Sequence, residues 1–187
     1  MAGSGNFLYV SHHKSKEISV WQMSDSGELT SVQNLSTGVK VMPLAVSPNR
    51  RFLYAGLREK PWAVASYAID GQTGKLTHLS NIPAFESTVY LCTDHTGRFL
   101  ISAINTKSYA TRTGNFSINA IGERGCAQSP YEMFRTPVKL HSVQIDPTNR
   151  YLFGASCDAD VIVRYKFDAV TGTVDPDPLP PVMVMRR

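Results

Sequence analysis

A histidine occupies a position at which related segments of the same chain carry apolar residues. The stretch HSVQIDPTNRYLFGAS begins at His141, and its relatives MPLAVSPNRRFLYAGL and VYLCTDHTGRFLISAI begin at Met42 and Val89. An imidazole titrates near neutral pH, so it can accept or release a proton during a reaction. His141 is therefore a candidate general base. The alternative is a polar residue that hydrogen-bonds a neighbouring structural unit.

Four further polar residues follow apolar segments at corresponding places in the chain, and they are candidates for binding a substrate. They are His12, His13, Arg58 and Asn105. The planar fork of an arginine side chain suits phosphate or carboxylate groups. The alternative for Arg58 is a surface charge paired with its neighbour Glu59.

The segments that carry these residues recur along the chain. The aromatic residue that opens the second strand of each unit recurs at intervals of 45, 47 and 52 residues, as Phe7, Phe52, Phe99 and Tyr151. Each unit contains short segments rich in β-branched and aromatic residues, separated by turn residues, and helical periodicity is absent. Four short strands about every 45 residues are typical of β-propeller blades. A β-sandwich with chance internal similarity is the alternative.

The sequence thus predicts an all-β fold, a β-propeller with about four blades of four-stranded antiparallel sheet. The first blade lacks its innermost strand, because the chain opens on the segment that corresponds to the second strand of the other units. We expect a single domain over residues 1–187, with blades roughly at 6–40, 41–86, 87–138 and 139–180.

Propeller topology places the candidate residues on one face. Successive strands alternate in direction, so the loop before the innermost strand and the loop after the second strand lie on the same side of a blade. Ligands bind where the innermost strands converge at the mouth of the central channel. The predicted face carries His141 at the start of an innermost strand, and His12, His13, Arg58 and Asn105 in loops after second strands.

Composition argues against several classes of function. The net charge of +4 comes from 19 basic and 15 acidic residues interspersed along the chain, and this pattern does not predict nucleic-acid binding. The three cysteines have no paired spacing, which favours a reducing compartment, and no metal-ligand motif appears. No apolar run approaches the roughly 18 residues of a membrane helix. We expect a cytoplasmic protein without metal, cofactor or membrane partner.

Four segments carry a resemblance to a known family. They are FLYVS…ISVWQM, LAVSPNRRFLYAGLR, STVYLCTDHTGRFL and LHSVQIDPTNRYLF, in order from about Phe7 to Val174. Together they resemble the N-terminal half of the seven-bladed propeller lactonases, which include the bacterial 6-phosphogluconolactonases. The TDHTGRF turn and the His141-Ser142 pair are fairly specific, whereas the SPNRRFLY turn is shared with other propellers. The loop from Asn105 to Gly114 is longer than is usual in the family.

The resemblance implies an incomplete seven-bladed ring that hydrolyses 6-phosphogluconolactone to 6-phosphogluconate, a step of the pentose phosphate pathway, without a cofactor. His141 would then be the catalytic base, and Arg58 with its neighbours on the same face would bind the phosphorylated sugar lactone. Two alternatives remain open. One is a lactonizing or cycloisomerising enzyme of the same fold that uses the same histidine as an acid, and the other is a non-catalytic propeller that binds a partner.

Two features of the family have no match in the chain. A Gly-Pro-Arg-His stretch and an acidic residue, both implicated at the family's active site, belong to later blades than those before Arg187. We therefore expect little or no lactonase activity from this chain alone. Because a half ring leaves strand edges and sheet faces uncovered, we also expect self-association through them.

Overall fold

The computed structural model of the protein describes residues 5–104, 114–129 and 132–183. These residues form four antiparallel sheets and no helix, which confirms the predicted all-β class. We call the sheets blades 1 to 4. Blade 1 contains β1 (Asn6–His12), β2 (Glu17–Met23) and β3 (Leu29–Ser36). Blade 2 contains β4 (Val41–Val46), β5 (Phe52–Leu57), β6 (Ala63–Ile69) and β7 (Leu76–Pro83).

Blades 3 and 4 follow the same plan. Blade 3 contains β8 (Thr88–Thr93), β9 (Phe99–Ile104), β10 (Gly114–Ala120) and β11 (Glu132–Thr136). Blade 4 contains β12 (Ser142–Ile145), β13 (Tyr151–Ser156), β14 (Val161–Phe167), β15 (Val174–Pro176) and β16 (Val182–Met183). Strands pair in chain order within each blade, except that β16 pairs with β14. The innermost strands β4, β8 and β12 contact one another in sequence, and among the described residues blade 1 has no such strand, as predicted.

The core lies between successive blades, and the second strands β5 and β9 of blades 2 and 3 are buried on both faces along nearly their whole length. In β2, Ile18 and Val20 are fully buried against Leu53 and Ala55 of blade 2. A second apolar layer joins blades 2 and 3, and a third joins blades 3 and 4. A strand buried on both faces needs no polar alternation, which explains the continuous apolar runs in the sequence.

One contact recurs between successive blades, and we call it the ring-on-glycine contact. The aromatic ring that opens the second strand of one blade covers a glycine in the turn between the third and fourth strands of the next. The pairs are Phe7–Gly74, Phe52–Gly125 and Phe99–Gly172. A Cβ atom on these glycines would lie 2.4, 2.2 and 2.3 Å from the nearest ring carbon, and their φ angles of +70°, +76° and +77° are left-handed. Glycine meets both requirements, because it has no Cβ atom and readily adopts a positive φ.

Hydrogen bonds reinforce two of these contacts. Two residues after the ring, the Tyr9 hydroxyl donates to the Gly74 carbonyl at 3.0 Å, and the Tyr54 hydroxyl donates to the Gly125 carbonyl at 3.1 Å. Burial raises the pKa of Tyr9 to about 12, so its hydroxyl keeps the proton that it donates. Blades 1 and 2, and blades 2 and 3, are therefore held by packing and by a hydrogen bond at the same glycine.

An aspartate closes the turn between the first two strands of blades 3 and 4. In blade 4, Asp146 accepts hydrogen bonds from the backbone N–H groups of Thr148, Arg150 and Tyr151. Although burial acts to raise the pKa of Asp146, these bonds and the Thr148 hydroxyl together lower it to about 2. The equivalent Asp94 of blade 3 accepts the same set of bonds within its own turn.

Asn149 ties the two turns together. Its side-chain Nδ2 donates to Asp94 Oδ2 at 3.0 Å, and its Oδ1 accepts the His95 backbone N–H at 3.0 Å. Asn149 itself has a left-handed φ of 59°, a conformation that asparagine tolerates better than most residues. The turn of blade 4 thus supplies a side-chain partner to the turn of blade 3.

The outermost strands depart from the predicted pattern. In blade 3, the segment after β10 forms a turn with a single bridge between Ile121 and Ala127, and the outer strand β11 begins at Glu132. In the fourth unit, β15 and β16 both pair with β14, so the outer edge is one strand interrupted by Pro-rich sequence. Proline cannot donate a backbone hydrogen bond, which accounts for the interruption.

The ring-on-glycine contact generates a stability prediction. Replacing Gly125 with alanine places a Cβ atom 2.2 Å from the Phe52 ring, which must then move. We expect Gly125→Ala to lower the free energy of unfolding by about 1–3 kcal/mol beyond the cost of the left-handed conformation itself. Gly38 is the matched control, because its φ is +71° and no described atom beyond its chain neighbours lies within 4 Å of the added Cβ. Equal losses for Gly125→Ala and Gly38→Ala in urea denaturation would contradict the prediction.

The turn closed by Asp146 predicts how the stability of the chain depends on pH. The pKa of Asp146 is about 2 in the folded chain, below its usual value near 4 when unfolded, so its stabilising effect is complete above pH ~4 and is lost as the pH falls towards 2. We expect Asp146→Asn to destabilise the chain at pH 7, and the difference from wild type to shrink between pH 4 and pH 2. Urea midpoints measured at several pH values give this difference. The exposed Asp25→Asn is the control and should give none.

Candidate functional site

The candidate site lies at the end of the blades where β4, β8 and β12 begin, and we call this end the mouth. In blade 2, the backbone N–H of Arg58, which follows β5, donates to the carbonyl of Lys40, which precedes β4. In blade 4, the backbone N–H of His141, which precedes β12, donates to the carbonyl of Ala155 near the end of β13. These bonds place the loop after the second strand beside the start of the innermost strand. The arrangement agrees with the topology expected from the sequence.

Arg58 reaches from blade 2 to blade 3 across the mouth. Its Nε donates to the Ser87 hydroxyl at 2.8 Å, and its Nη1 contacts the Met42 sulfur. Burial lowers the pKa of the Arg58 guanidinium from its ordinary value, but an arginine remains charged at neutral pH. Among the described residues, no carboxylate pairs with this guanidinium. Arg58 is therefore a positioned cation without a counter-ion in the described part of the chain.

The ion pair proposed as the alternative for Arg58 is wrong. Glu59 instead pairs with Lys16 Nζ at 3.0 Å and with Lys40 Nζ at 3.5 Å. A hydrogen bond from Lys16 holds the pKa of the Glu59 carboxyl below its usual value. Two lysines already satisfy this carboxylate, which leaves Arg58 available to an external anion.

His141 lies at the surface, immediately before β12, and its side chain is exposed. Met42, which holds the equivalent position of the repeat and is the second residue of β4, is 46% exposed and touches Arg58, so it is not a packed residue. The first position of the repeat thus faces the mouth in both blades. The imidazole at His141 is accessible to a molecule bound there.

His12 is directed elsewhere. It is the last residue of β1, and its Nε2 lies 2.7 Å from the Ser19 hydroxyl, which also accepts a hydrogen bond from Trp21 Nε1 at 2.8 Å. Tyr9 and Ser11 donate to backbone carbonyls of blade 2, so alternation places His12 on the opposite face of blade 1. No other described sheet covers this face. The structure does not bring His12 into contact with Arg58 or His141.

The two remaining predicted residues are His13 and Asn105. His13 lies exposed in the turn after β1 and makes no side-chain hydrogen bond with any described residue. Asn105 lies outside the described residues, so its predicted role stays a prediction. Of the five predicted residues, Arg58 and His141 have a defined place at the mouth.

Three polar residues of the mouth and channel were missed by the sequence analysis. Ser87 precedes β8 and orients Arg58, and Gln144 donates to the Tyr90 hydroxyl, which links the innermost strands of blades 3 and 4. One carboxylate oxygen of Glu86 is buried without a hydrogen-bond partner among the described residues. The sequence offered no signal for these residues, because serine, glutamine and glutamate are ordinary in loops and strand ends.

The described part of the chain contains no group of three His, Cys, Asp or Glu residues that could hold a metal ion. No helix within it is long and apolar enough to cross a membrane.

Comparison with known proteins gives consistent matches over nearly the whole chain. Residues 4–185 match the family model described as lactonase, 7-bladed β-propeller. A 6-phosphogluconolactonase of Pectobacterium carotovorum is 36% identical over 162 residues, which are 87% of this chain and 46% of that protein. A 6-phosphogluconolactonase of Yersinia pestis is 38% identical over the same shares of the two chains. The chain spans about half the length of the curated relatives it matches.

Solved structures show the same architecture. A crystal structure from Bacteroides uniformis has a TM-score of 0.84 at 20% identity and covers 98% of this chain and 53% of its own. The periplasmic gluconolactonase of Pseudomonas aeruginosa has a TM-score of 0.76 at 18% identity, over 93% of this chain and 55% of its own. At these identities the likeness concerns the fold. Together with the family model and the curated relatives, it shows that the chain belongs to the seven-bladed β-propeller lactonases.

Proposed function

We propose that this chain carries the histidine and arginine part of a site that hydrolyses a phosphorylated sugar lactone, 6-phosphogluconolactone, to 6-phosphogluconate. The observation that carries the proposal is Arg58, a cation that is held by Ser87 and Met42 at the mouth and has no described carboxylate partner. The names of the curated relatives support the choice of substrate.

Lactone hydrolysis adds water to the carbonyl carbon, and the ring ester bond then breaks. A base must take a proton from the attacking water, and the ring oxygen must receive one as it leaves. A neutral imidazole at His141 performs the first transfer and, once protonated, can perform the second. His141 is exposed at the mouth, so water and a bound lactone can both reach it.

Substrate binding is the role of Arg58 and its neighbours. The Nε and Nη1 atoms of Arg58 are engaged by Ser87 and Met42, which fixes the plane of the guanidinium and leaves its remaining N–H groups for an anion. Glu86 precedes Ser87, and one of its carboxylate oxygens is buried without a partner among the described residues; this oxygen can accept a hydrogen bond from a sugar hydroxyl only if the side chain turns outward. Neither group requires a metal ion for these tasks.

Binding of the product tests the role of Arg58. We expect Arg58→Ala to weaken binding of 6-phosphogluconate at least ~10-fold, and Arg58→Lys to weaken it less, because lysine keeps the charge but loses the fork. Isothermal titration calorimetry of the 187-residue chain measures this affinity. The control is Arg124→Ala, an exposed arginine in a turn at the other end of blade 3. Equal affinities for wild type and Arg58→Ala would contradict the assignment.

Hydrolysis tests the role of His141. We propose to join residues 4–185 to the second half of the Pectobacterium relative and to follow acid release above the spontaneous rate. We expect the joined protein to hydrolyse the lactone, and His141→Ala to reduce the rate by ~10²-fold or more. We expect the 187-residue chain alone to stay near the spontaneous rate.

A matched histidine variant separates chemistry from folding. His95→Ala removes an exposed imidazole from the turn between β8 and β9, at the other end of the blades from the mouth, and should leave the rate unchanged. A loss of less than about fivefold in His141→Ala would assign His141 to structure instead of proton transfer. A joined protein that folds and binds 6-phosphogluconate but does not hydrolyse the lactone would contradict the proposed reaction.

A further inference from the structure

One position of the repeat carries a lysine in two blades and a serine in the blade between them. This position lies twelve residues before the aromatic residue that opens the second strand, and it is Lys40 in blade 2, Ser87 in blade 3 and Lys139 in blade 4. Each of the three lies shortly before the innermost strand of its blade, at the mouth. Blades 2 and 4 therefore place a cation at a point where blade 3 places a hydroxyl.

Arg58 brings a cation to this position of blade 3 from the neighbouring blade. It follows β5 of blade 2, and its Nε donates to the Ser87 hydroxyl at 2.8 Å. Blades 2 and 3 pack against each other through a shared apolar cluster, which holds the two residues at this distance. A guanidinium and a hydroxyl thus form a pair across two packed blades.

The Ser87 hydroxyl has a hydrogen to donate. A serine hydroxyl carries one donor and two acceptor positions. Ser87 uses an acceptor position for Arg58 Nε, and it donates to no described residue. Its side chain is half-buried at the mouth, so its O–H can reach a ligand there. An O–H donor therefore lies next to the N–H groups of Arg58 that remain available.

These donors suit a phosphoryl group better than a carboxylate. An arginine binds a carboxylate most strongly through two parallel N–H bonds in one plane. In Arg58 each pair of neighbouring nitrogens includes one that is already engaged, because Nε bonds Ser87 and Nη1 contacts the Met42 sulfur. A phosphoryl group offers three acceptor oxygens in different directions, so it can accept from Arg58 Nη2 and from the Ser87 hydroxyl together.

The charges on this side of the mouth also favour an anion. Lys16 and Lys40 both bind the carboxylate of Glu59, at 3.0 and 3.5 Å, so these three residues keep one positive charge. Arg58 adds a positive charge, and Glu86 adds a negative one. The cations outnumber the carboxylates among these groups, and a local excess of positive charge attracts an anionic ligand.

We propose that Ser87 and Arg58 together bind the phosphoryl group of the substrate, with the Ser87 hydroxyl donating to it directly. Ser87 then favours phosphorylated over unphosphorylated lactones, in addition to holding Arg58 in place. The inference rests on the proposed function, because it takes the ligand to be a phosphorylated sugar acid or lactone whose anion binds at Arg58. It leaves His141, on blade 4, for the lactone end of the substrate.

Three single substitutions test the hydroxyl. We expect Ser87→Ala to weaken binding of 6-phosphogluconate at least ~10-fold, because a hydrogen bond to a charged group is lost and Arg58 is released. We expect Ser87→Thr to stay within about threefold of wild type, because it keeps the hydroxyl. Ser26→Ala is the control, since Ser26 is exposed in the turn between β2 and β3 at the other end of the blades. NMR titration of the isotope-labelled 187-residue chain measures the affinities, and circular dichroism verifies folding.

Gluconate tests whether the phosphoryl group is the part of the ligand that Ser87 binds, because gluconate lacks this group. We expect the wild-type chain to bind gluconate more weakly than 6-phosphogluconate, and Ser87→Ala to change the affinity for gluconate by less than about twofold. Equal losses for the two ligands would place Ser87 at another part of the sugar and overturn the proposal.

A double-mutant cycle separates direct binding from an effect through Arg58. In an Arg58→Ala background the hydroxyl has no guanidinium to hold, but it can still donate to the phosphoryl group. We therefore expect Ser87→Ala to weaken binding of 6-phosphogluconate a further ~3-fold or more in that background. The absence of a further loss would reduce Ser87 to a positioning residue and overturn direct binding.

The remaining outcomes distinguish this inference from the proposed function. Full affinity in Ser87→Ala together with a loss in Arg58→Ala would overturn the role of Ser87 and leave that of Arg58 intact. Equal losses in Ser87→Ala and Ser87→Thr would assign the effect to packing and also overturn the inference. Equal affinities for wild type and Arg58→Ala, or no binding of 6-phosphogluconate by the folded wild-type chain, would contradict the proposed function itself.

Discussion

The close approach of an aromatic ring to a glycine of the next blade determines how successive sheets meet. The ring of Phe52 lies where a Cβ atom on Gly125 would be, so the two blades approach more closely than any other residue would allow. The Tyr54 hydroxyl bonds the carbonyl of the same glycine and is fully buried with it. Shape and hydrogen bonding thus specify one spacing, and this spacing recurs along the array.

The geometry of the mouth depends on that spacing. Arg58 belongs to blade 2, but its Nε bonds Ser87 at the start of blade 3. A shift of one blade against the next would break this bond and release the guanidinium from its fixed plane. The positions of the mouth residues therefore depend on the ring-on-glycine contacts, which lie at the opposite ends of the second strands.

Sequence reasoning could predict the sheets and the place of His141, because both follow from a repeat with alternating strand directions. It could not predict which glycine lies under which ring, since Phe52 and Gly125 are far apart in the chain and only the packed structure joins them. It could not predict that the side chain of His12 lies on the side of blade 1 away from blade 2, because that side follows from alternation counted back from the contacts of Tyr9. Outer strands were the least predictable elements, since few tertiary contacts constrain where they begin.

The ring-on-glycine contacts join only consecutive blades, and this has a consequence for cooperativity. The main contacts between blades likewise link neighbours in the chain, from β1 to β4, from β4 to β8 and from β8 to β12. Such an array resembles a one-dimensional lattice, in which stability is the sum of blade terms and nearest-neighbour terms. Weakening the Phe52–Gly125 contact should therefore divide the chain into two melting units, blades 1–2 and blades 3–4, whose amide hydrogens exchange at separate rates.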